Sequence, residues 1–188
     1  MVEYRHRGNI KLLDSGTRVA IVGSRKASEE GLAMAHSLAA YLAKKGFIIV
    51  SGLAEGIDSA AHKGCLGVKG KTIAVLGTGL DFIYPIFNKK LAKEIVEEGG
   101  LLLSMYEDSF SGSKWSYPER NKIVVEISEA VMVIEASIKS GTMITVKEAI
   151  KKGKEVWVWS GSVSEGNKYL IENGMGKAFT RASEIKVR

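Results

Sequence analysis

The chain has 188 residues, of which 45% are hydrophobic and only two are proline. A chain of this length can bury a sizeable core, and its composition excludes a disordered or fibrous protein. The formal net charge of +6 at pH 7 favours acidic partners, but charge alone is weak support for nucleic acid.

Short runs rich in β-branched residues alternate with helical stretches along the whole chain. The predicted strands are Arg18–Val22, Phe47–Ser51, Thr72–Leu76, Leu101–Ser104, Ala130–Glu135 and Glu155–Trp159. Most of them are continuously apolar, as strands covered by helices on both faces must be. The pattern predicts an α/β fold of Rossmann-like type, with a doubly wound, mainly parallel sheet and helices on both faces.

We expect a single domain over residues 1–188, with its core at about residues 17–176, because no internal repeat and no Pro-, Gly- or Ser-rich linker is visible. The helical period is clearest over Glu29–Lys45. The least regular stretch, Tyr106–Pro118, has the length of a functional or mobile loop.

The cysteine content and the N-terminus indicate a reducing compartment. Cys65 is the one cysteine, so the chain forms no internal disulfide and has no second thiol for a metal. Met1–Arg7 is polar and basic, and apolar runs such as Phe47–Val50 are only as long as strands. We therefore predict a cytoplasmic protein with no signal peptide, no membrane association and no metal.

Four unusual loops follow predicted strands, which is where open parallel sheets bind ligands. They are Gly23–Ser28, Ser51–Asp58, Gly77–Asp81 and Glu135–Thr142. Glycine lets a backbone approach a phosphate, and a helix N-terminus offers free N–H groups. Further donors come from the side chains of Ser24, Arg25, Lys139, Ser140 and Thr142. One such loop is as often a tight strand-to-helix connection as it is a binding loop. Four of them together predict one basic, phosphate-binding cleft.

The two commonest phosphate-loop signatures are absent. No Gly-x-Gly-x-x-Gly follows the first strand and no Gly-Lys-Ser/Thr loop occurs, which disfavours a standard dinucleotide or P-loop site. Pro118 can open a helix whose first turn carries Arg120, Asn121 and Lys122. These two cations and an amide indicate either a nearby anion or a solvated first turn.

The sequence shows no clear catalytic constellation, and we predict a non-catalytic protein without a cofactor. The histidines are scattered, Cys65 has no activating partner near it in sequence, and no triad or carboxylate pair is apparent. Acidic residues in the loops are more commonly caps or hydrogen-bond partners than general acids or bases. The residues concerned are His6, His36, His62, Asp58, Asp81, Glu107 and Glu135.

The ordered motifs in these loops resemble the DNA-processing protein A family, also called DprA or Smf. The matching segments are Val19–Arg25, Val50–Asp58, Ala60–His62, Thr72–Asp81, Tyr84–Pro85, Pro118–Ile123 and Ser140–Thr142 with Thr145. The resemblance extends from near Tyr4 to near Gly174. Lys122 stands where the family usually has arginine, and Tyr117 where it often has phenylalanine; lysine keeps the charge but loses bidentate geometry.

The resemblance implies an extended Rossmann fold that binds single-stranded DNA, forms a homodimer and delivers the strand to a RecA-type recombinase during DNA uptake. It implies that Arg25, Arg120 and Lys122 contact DNA phosphates. The predicted DNA- and phosphate-binding residues are Gly23, Ser24, Arg25, Lys26, Ser28, Ser51, Gly52, Leu53, Gly56, Arg120, Asn121, Lys122, Lys139, Ser140, Gly141 and Thr142. The N-terminal helical and C-terminal winged-helix domains of many members are not expected in this chain.

Two other functions stay open. Nucleoside-monophosphate phosphoribohydrolases of the lysine decarboxylase-like type carry Pro-Gly-Gly-x-Gly-Thr-x-x-Glu at the loop corresponding to Ser137–Thr145. Here Ile138 and Lys139 replace the earlier glycines and Thr145 replaces the glutamate, so the acid that hydrolysis needs is missing. A protein that binds a free nucleotide could use the same cradle. The aromatic candidates for base stacking, which could equally be packing residues, are Tyr84, Phe110, Trp115 and Tyr117.

Overall fold

A computed structural model describes residues 4–187 and contains one eight-stranded sheet. The strands are β1 (Arg5–Gly8), β2 (Arg18–Val22), β3 (Ile48–Ser51), β4 (Thr72–Val75), β5 (Leu101–Ser104), β6 (Ala130–Val133), β7 (Glu155–Trp159) and β8 (Lys177–Phe179). Their order is β1-β5-β4-β3-β2-β6-β7-β8. Within these residues only β1, paired with β5, is antiparallel. This arrangement confirms the predicted α/β, doubly wound, mainly parallel sheet.

Six α-helices cover the two faces of the sheet within residues 4–187. They are α1 (Glu29–Lys44), α2 (Ile57–Leu66), α3 (Lys89–Glu97), α4 (Ser116–Glu126), α5 (Gly141–Lys151) and α6 (Glu165–Glu172). None of these helices is both long and apolar enough to cross a bilayer.

Strand β2 shows why the central strands are continuously apolar. Val19 and Ile21 pack with α1 and α2, whereas Ala20 and Val22 pack with α4 and α5 on the opposite face. Successive side chains of a strand point to opposite faces, so a strand between two helical layers must be apolar at every position.

Two strands are absent from the sequence-based prediction, and both lie outside the core expected at residues 17–176. All four residues of β1 are exposed, and β8 is only three residues long. An exposed or very short edge strand leaves no hydrophobic period in the sequence, which is why the pattern missed both. Helix α4 also begins at Ser116, before Pro118, so the proline lies in its first turn, where a missing N–H costs nothing.

The order of the strands fixes where ligands can bind. The chain runs from β2 to β3 on one side of the sheet, and β6 pairs with β2 on the other side. The loops after β2 and β6 therefore leave the sheet edge in opposite directions and open a crevice between them, a topological switch point.

Candidate phosphate-binding cleft

A cleft of about 450 Å³ opens at this switch point, beyond the carboxyl ends of β2, β3 and β6. Most of the predicted binding residues line it: Gly23, Ser24, Arg25, Lys26, Gly52, Arg120, Asn121, Ser140, Gly141 and Thr142. The wall is completed by residues outside the predicted set: Val22, Ala54, Asp58, Val124, Ser137 and Thr145.

The start of α5 is open toward this cleft. Ser140 precedes the helix but makes no side-chain cap, because its hydroxyl donates to the carbonyl oxygen of Ser137 at 2.6 Å. The N–H groups of Gly141 and Thr142 have no acceptor among residues 4–187. A Cβ added at Gly141 would meet only Asn121 Nδ2, at 3.8 Å. Free N–H groups at a helix start attract anions, so this end of the cleft offers backbone donors.

The start of α1, on the other side of the cleft, is occupied by the protein itself. Ser28 Oγ accepts a hydrogen bond from Gly31 N at 3.0 Å and donates to Glu135 Oε2 at 2.7 Å. The Glu135 carboxylate also accepts from Ser28 N. A carboxylate already fills the place where a helix N-terminus would bind an external anion.

Arg120 lies beneath the cleft and is only 4% exposed. Its Nη1 donates to the carbonyl oxygens of Gly52 and Val75, and its Nε donates to Asn121 Oδ1 at 3.0 Å. A Cβ at position 52 would overlap the guanidinium, so Gly52 makes room for Arg120. Burial lowers the pKa of Arg120, and the Asp58 carboxylate raises it.

Asp58 holds the same loop from the N–H side. Its Oδ2 accepts from Gly52 N at 3.1 Å and from Ala54 N at 3.3 Å. Burial raises the pKa of Asp58, while the charge of Arg120 and the hydrogen bonds of the loop lower it. Asp58 and Arg120 together fix Gly52 through both of its backbone polar groups, and so build the floor of the cleft.

Arg25 and Lys26 are the exposed cations of the cleft, and neither forms a salt bridge within residues 4–187. The Arg25 guanidinium lies over the ring of Tyr117, 5.5 Å from its centroid. The ring of Tyr84 is 5.8 Å from that of Tyr117. An unpaired guanidinium beside two aromatic rings can contact both a phosphate and a base.

Several predicted binding residues lie outside the lining of the cleft: Ser28, Ser51, Leu53, Gly56, Lys122 and Lys139. The hydroxyl of Ser51 is buried and donates to the carbonyl oxygen of Ile21 at 2.6 Å. Leu53 packs in the core, and the Nζ of Lys122 pairs with Glu119 at 2.7 Å. Their contacts with a ligand remain predictions.

Gly56 is required by the turn itself. It has a φ of +79°, and a Cβ there would overlap the backbone of Ser24 and Arg25. This close approach joins the loop after β3 to the loop after β2, because Ile57 N donates to Ser24 O at 3.2 Å. Gly56 therefore positions Arg25 through the backbone.

Two other buried titratable groups, His62 and Cys65, are held in their neutral forms. Burial and the charge of Arg120 lower the pKa of His62 to about 3, and its Nδ1 lies 2.7 Å from Thr72 Oγ1. Burial raises the pKa of the Cys65 thiol to about 12. Among residues 4–187, no group of three or more His, Cys, Asp or Glu side chains is placed to hold a metal ion.

Comparison with known families decides the relationship of the chain. The family model described as DNA recombination-mediator protein A matches residues 4–187. The chain belongs to this family. The resemblance to DprA and Smf predicted from the loop motifs is thereby confirmed.

Curated relatives agree with this assignment. Protein Smf of Synechocystis is 44% identical over 160 residues, which are 83% of this chain and 40% of the relative. DNA processing protein DprA of Streptococcus pneumoniae is 40% identical over 184 residues, which are 96% of this chain and 64% of the relative. The chain thus spans less than two thirds of the length of either protein.

Solved structures place the fold in the same family. DNA processing protein A from Helicobacter pylori matches with a TM-score of 0.90 and 36% identity over 96% of this chain and 83% of that chain. Its structure is described as giving insight into its single-stranded DNA binding mode. Streptococcus pneumoniae DprA matches with a TM-score of 0.89 and 39% identity over 96% of this chain and 64% of that chain. A molybdenum cofactor binding protein from Rippkaea orientalis shares the fold alone. It is 18% identical over 90% of this chain and 92% of that chain, with a TM-score of 0.67.

Proposed function

We propose that this chain binds the backbone of single-stranded DNA in the cleft at the switch point, and that it catalyses no reaction there. One observation carries the proposal: the unpaired Arg25 and the open start of α5 line the same cleft. A cation together with free backbone N–H groups is a donor set suited to a phosphate. Proteins that bind single strands without sequence preference combine such a basic cleft with aromatic rings.

Neighbouring aromatic residues supply the stacking surface that a single-strand binder needs beside these phosphate donors. A depression of about 570 Å³ shares Arg25 and Gly141 with the cleft and adds Tyr84, Lys114 and Tyr117. The side of Tyr84 away from Tyr117 is available to a base, since Tyr84 is 57% exposed. Two of the sequence candidates, Phe110 and Trp115, instead pack with each other and with Tyr106 in a separate cluster. We assign base stacking to Tyr84 and Tyr117.

The relatives support the choice of ligand. The Helicobacter pylori protein, 36% identical over 96% of this chain, is described as binding single-stranded DNA. Arg25 and Gly141 lie within the aligned family region, residues 4–187. A conserved fold alone would not specify a ligand, so the proposal rests on the donor set of the cleft.

Fluorescence anisotropy with a labelled oligothymidylate across a salt series tests the proposal. Wild-type protein is expected to bind with an affinity that falls steeply with salt, because counterions are released from the phosphates. Arg25→Ala should lose on the order of tenfold or more in affinity, and its salt slope should be smaller by about 0.7, because one phosphate is no longer neutralised. The matched control is Lys168→Ala, which removes an exposed charge of α6 outside the cleft and should bind like wild type.

A free nucleotide or a phosphoribohydrolase reaction would give a different result. Thr145 stands at the position of the missing glutamate, and its hydroxyl donates to Gly141 O at 3.2 Å. We therefore expect no release of base from nucleoside monophosphates and only weak competition by thymidine monophosphate against the oligonucleotide. Saturable binding of the mononucleotide without binding of the oligonucleotide would refute the proposal.

We further propose that the protein acts in the cytoplasm as a homodimer that transfers the bound strand to a RecA-type recombinase during DNA uptake. The family resemblance is the reason for the dimer and the transfer, and the lone cysteine and polar N-terminus are the reason for the compartment. Sedimentation equilibrium tests the dimer, and recombinase filament formation on protein-coated DNA tests the transfer. A monomer at all concentrations, or filament formation unaffected by the protein, would reject the corresponding point.

A further inference from the structure

A second groove, of about 890 Å³, is lined by residues of α1, α2 and α3. Arg25 and Lys26 line both this groove and the phosphate-binding cleft. The cleft and the groove therefore meet at these two residues. A ligand longer than one nucleotide that fills the cleft can continue into the groove.

The groove carries an excess of positive charge. Its charged lining comprises four cations and two carboxylates: Arg25, Lys26, Lys63, Lys90, Glu55 and Glu94. None of the four cations forms a salt bridge within residues 4–187, whereas Lys93, on α3 but outside the lining, pairs with Glu97 at 3.4 Å. Unpaired like charges repel one another, and an anionic ligand would relieve this repulsion.

The groove also presents an aromatic surface. Phe87 lines it and is 62% exposed, and it lies three positions before Lys90 in the sequence. A single strand offers phosphates to cations and bases to aromatic rings. An aromatic ring beside unpaired lysines matches both parts of such a ligand.

We infer that this groove carries the continuation of the DNA strand beyond the cleft. Lys63 and Lys90 bind phosphates neighbouring those held at Arg25 and the start of α5, and Phe87 stacks on a base. The inference rests on the proposed function, since it extends the same strand. An acidic protein segment could also pair with the lysines, but the continuity with the cleft through Arg25 and Lys26 favours the nucleic acid.

The test compares a short and a long ligand. Oligothymidylates of about 4 and about 20 nucleotides bracket the site sizes typical of single-strand binders; the short one fills the cleft alone. For Lys63→Ala/Lys90→Ala, affinity for the long strand should fall on the order of tenfold, and the salt slope should shrink by about 1.4, or about 0.7 for each phosphate contact. Affinity for the short strand should not change.

Matched variants separate this site from general electrostatics. Lys147→Ala/Lys168→Ala removes two exposed lysines on α5 and α6 that lie outside the cleft and the groove. This variant should bind both lengths like wild type. Phe87→Ala should weaken only the long strand, by about fivefold or more. Circular dichroism verifies that every variant is folded.

The outcomes distinguish the two proposals. If wild-type protein binds neither length, the proposed function fails. If wild-type protein binds both lengths and the Lys63/Lys90 variant binds both as wild type does, or weakens equally toward both, the groove proposal alone is overturned. Capture of an acidic peptide by wild type but not by the variant, with long-strand affinity unchanged, also overturns it, in favour of a protein partner.

Discussion

Two helix starts border the cleft, and they are built in opposite ways. A serine precedes each helix, yet Ser28 caps α1 and hydrogen-bonds to Glu135, whereas Ser140 leaves α5 uncapped. Ser28 and Glu135 are 107 positions apart in sequence, so the difference arises from the tertiary fold. A serine- and glycine-rich loop can receive an external anion only where the protein has not placed its own carboxylate.

The glycines of the cleft divide in the same way. Side chains at Gly23 and Gly52 would overlap Ile57 and Arg120, respectively, so these glycines serve internal packing. A Cβ at Gly141 would meet only Asn121 Nδ2, at 3.8 Å, and the missing side chain leaves room for a ligand. Substitutions in the internally bonded part of the cleft should therefore act on stability, and those in the open part on binding.

Arg120→Met should cause the largest loss of stability. The substitution leaves the carbonyl oxygens of Gly52 and Val75 without their donor and removes the cation that faces the buried Asp58. Each buried carbonyl oxygen that loses its donor costs about 1–3 kcal/mol. Urea denaturation measures the free energy of unfolding. A change of less than about 1 kcal/mol would contradict the role of Arg120 as the support of the cleft floor.

His62 should make the free energy of unfolding sensitive to acid. Its pKa is about 3 in the fold, against an ordinary value of 6.5. The stability contributed by the neutral imidazole is complete above pH 6.5 and is lost as the pH falls toward 3. The free energy of unfolding should therefore drop by about 2 kcal/mol between about pH 7 and about pH 5. In His62→Asn this part of the pH dependence should vanish; an unchanged slope would assign it to other groups.

Gly141→Ala should separate binding from stability at the open helix start. An added methyl group meets only Asn121 and suits a helix, so the free energy of unfolding should stay equal or rise by about 0.4–1 kcal/mol. The methyl group blocks the approach of a phosphate, and oligothymidylate affinity should fall on the order of tenfold, or about 1.4 kcal/mol. Anisotropy and urea denaturation on the same preparation check both effects. Unaltered affinity would place the phosphate elsewhere.

Ser28→Ala should give the converse result at the occupied helix start. Loss of the cap and of the hydrogen bond to Glu135 should lower the free energy of unfolding by about 1 kcal/mol. Oligothymidylate affinity should remain that of wild type, because Ser28 does not line the cleft; this result would argue against the sequence prediction that Ser28 contacts DNA. A large loss of affinity with no loss of stability would show that the first helix start contacts the ligand.

Much of this architecture is readable from the sequence, because the central strands are buried on both faces and their loops follow a fixed rule for parallel sheets. The predicted helix Glu29–Lys45 agrees with α1 to within one residue. The apolar runs thus located the sheet edge where Arg25, Gly52 and Gly141 converge.

The sequence does not show in the same way which residues of the cleft bond to the protein itself and which are open to a ligand. A cation in the first turn of a helix is usually exposed, which favours Arg120 as a phosphate ligand, but here its guanidinium is buried against two carbonyl oxygens. Glu135 has the position of an ordinary strand-end acid, but it occupies the start of α1. Such contacts join positions far apart in sequence, and local patterns cannot reveal them.

The most direct test of the central claim is a titration of the isotope-labelled protein with a short oligothymidylate, followed through backbone amide chemical shifts. The amides of Gly141 and Thr142, at the open start of α5, should shift with occupancy, while those of Ser28 and Gly31 should stay in place. Shifts at Ser28 and Gly31 with none at Gly141 and Thr142 would contradict the account.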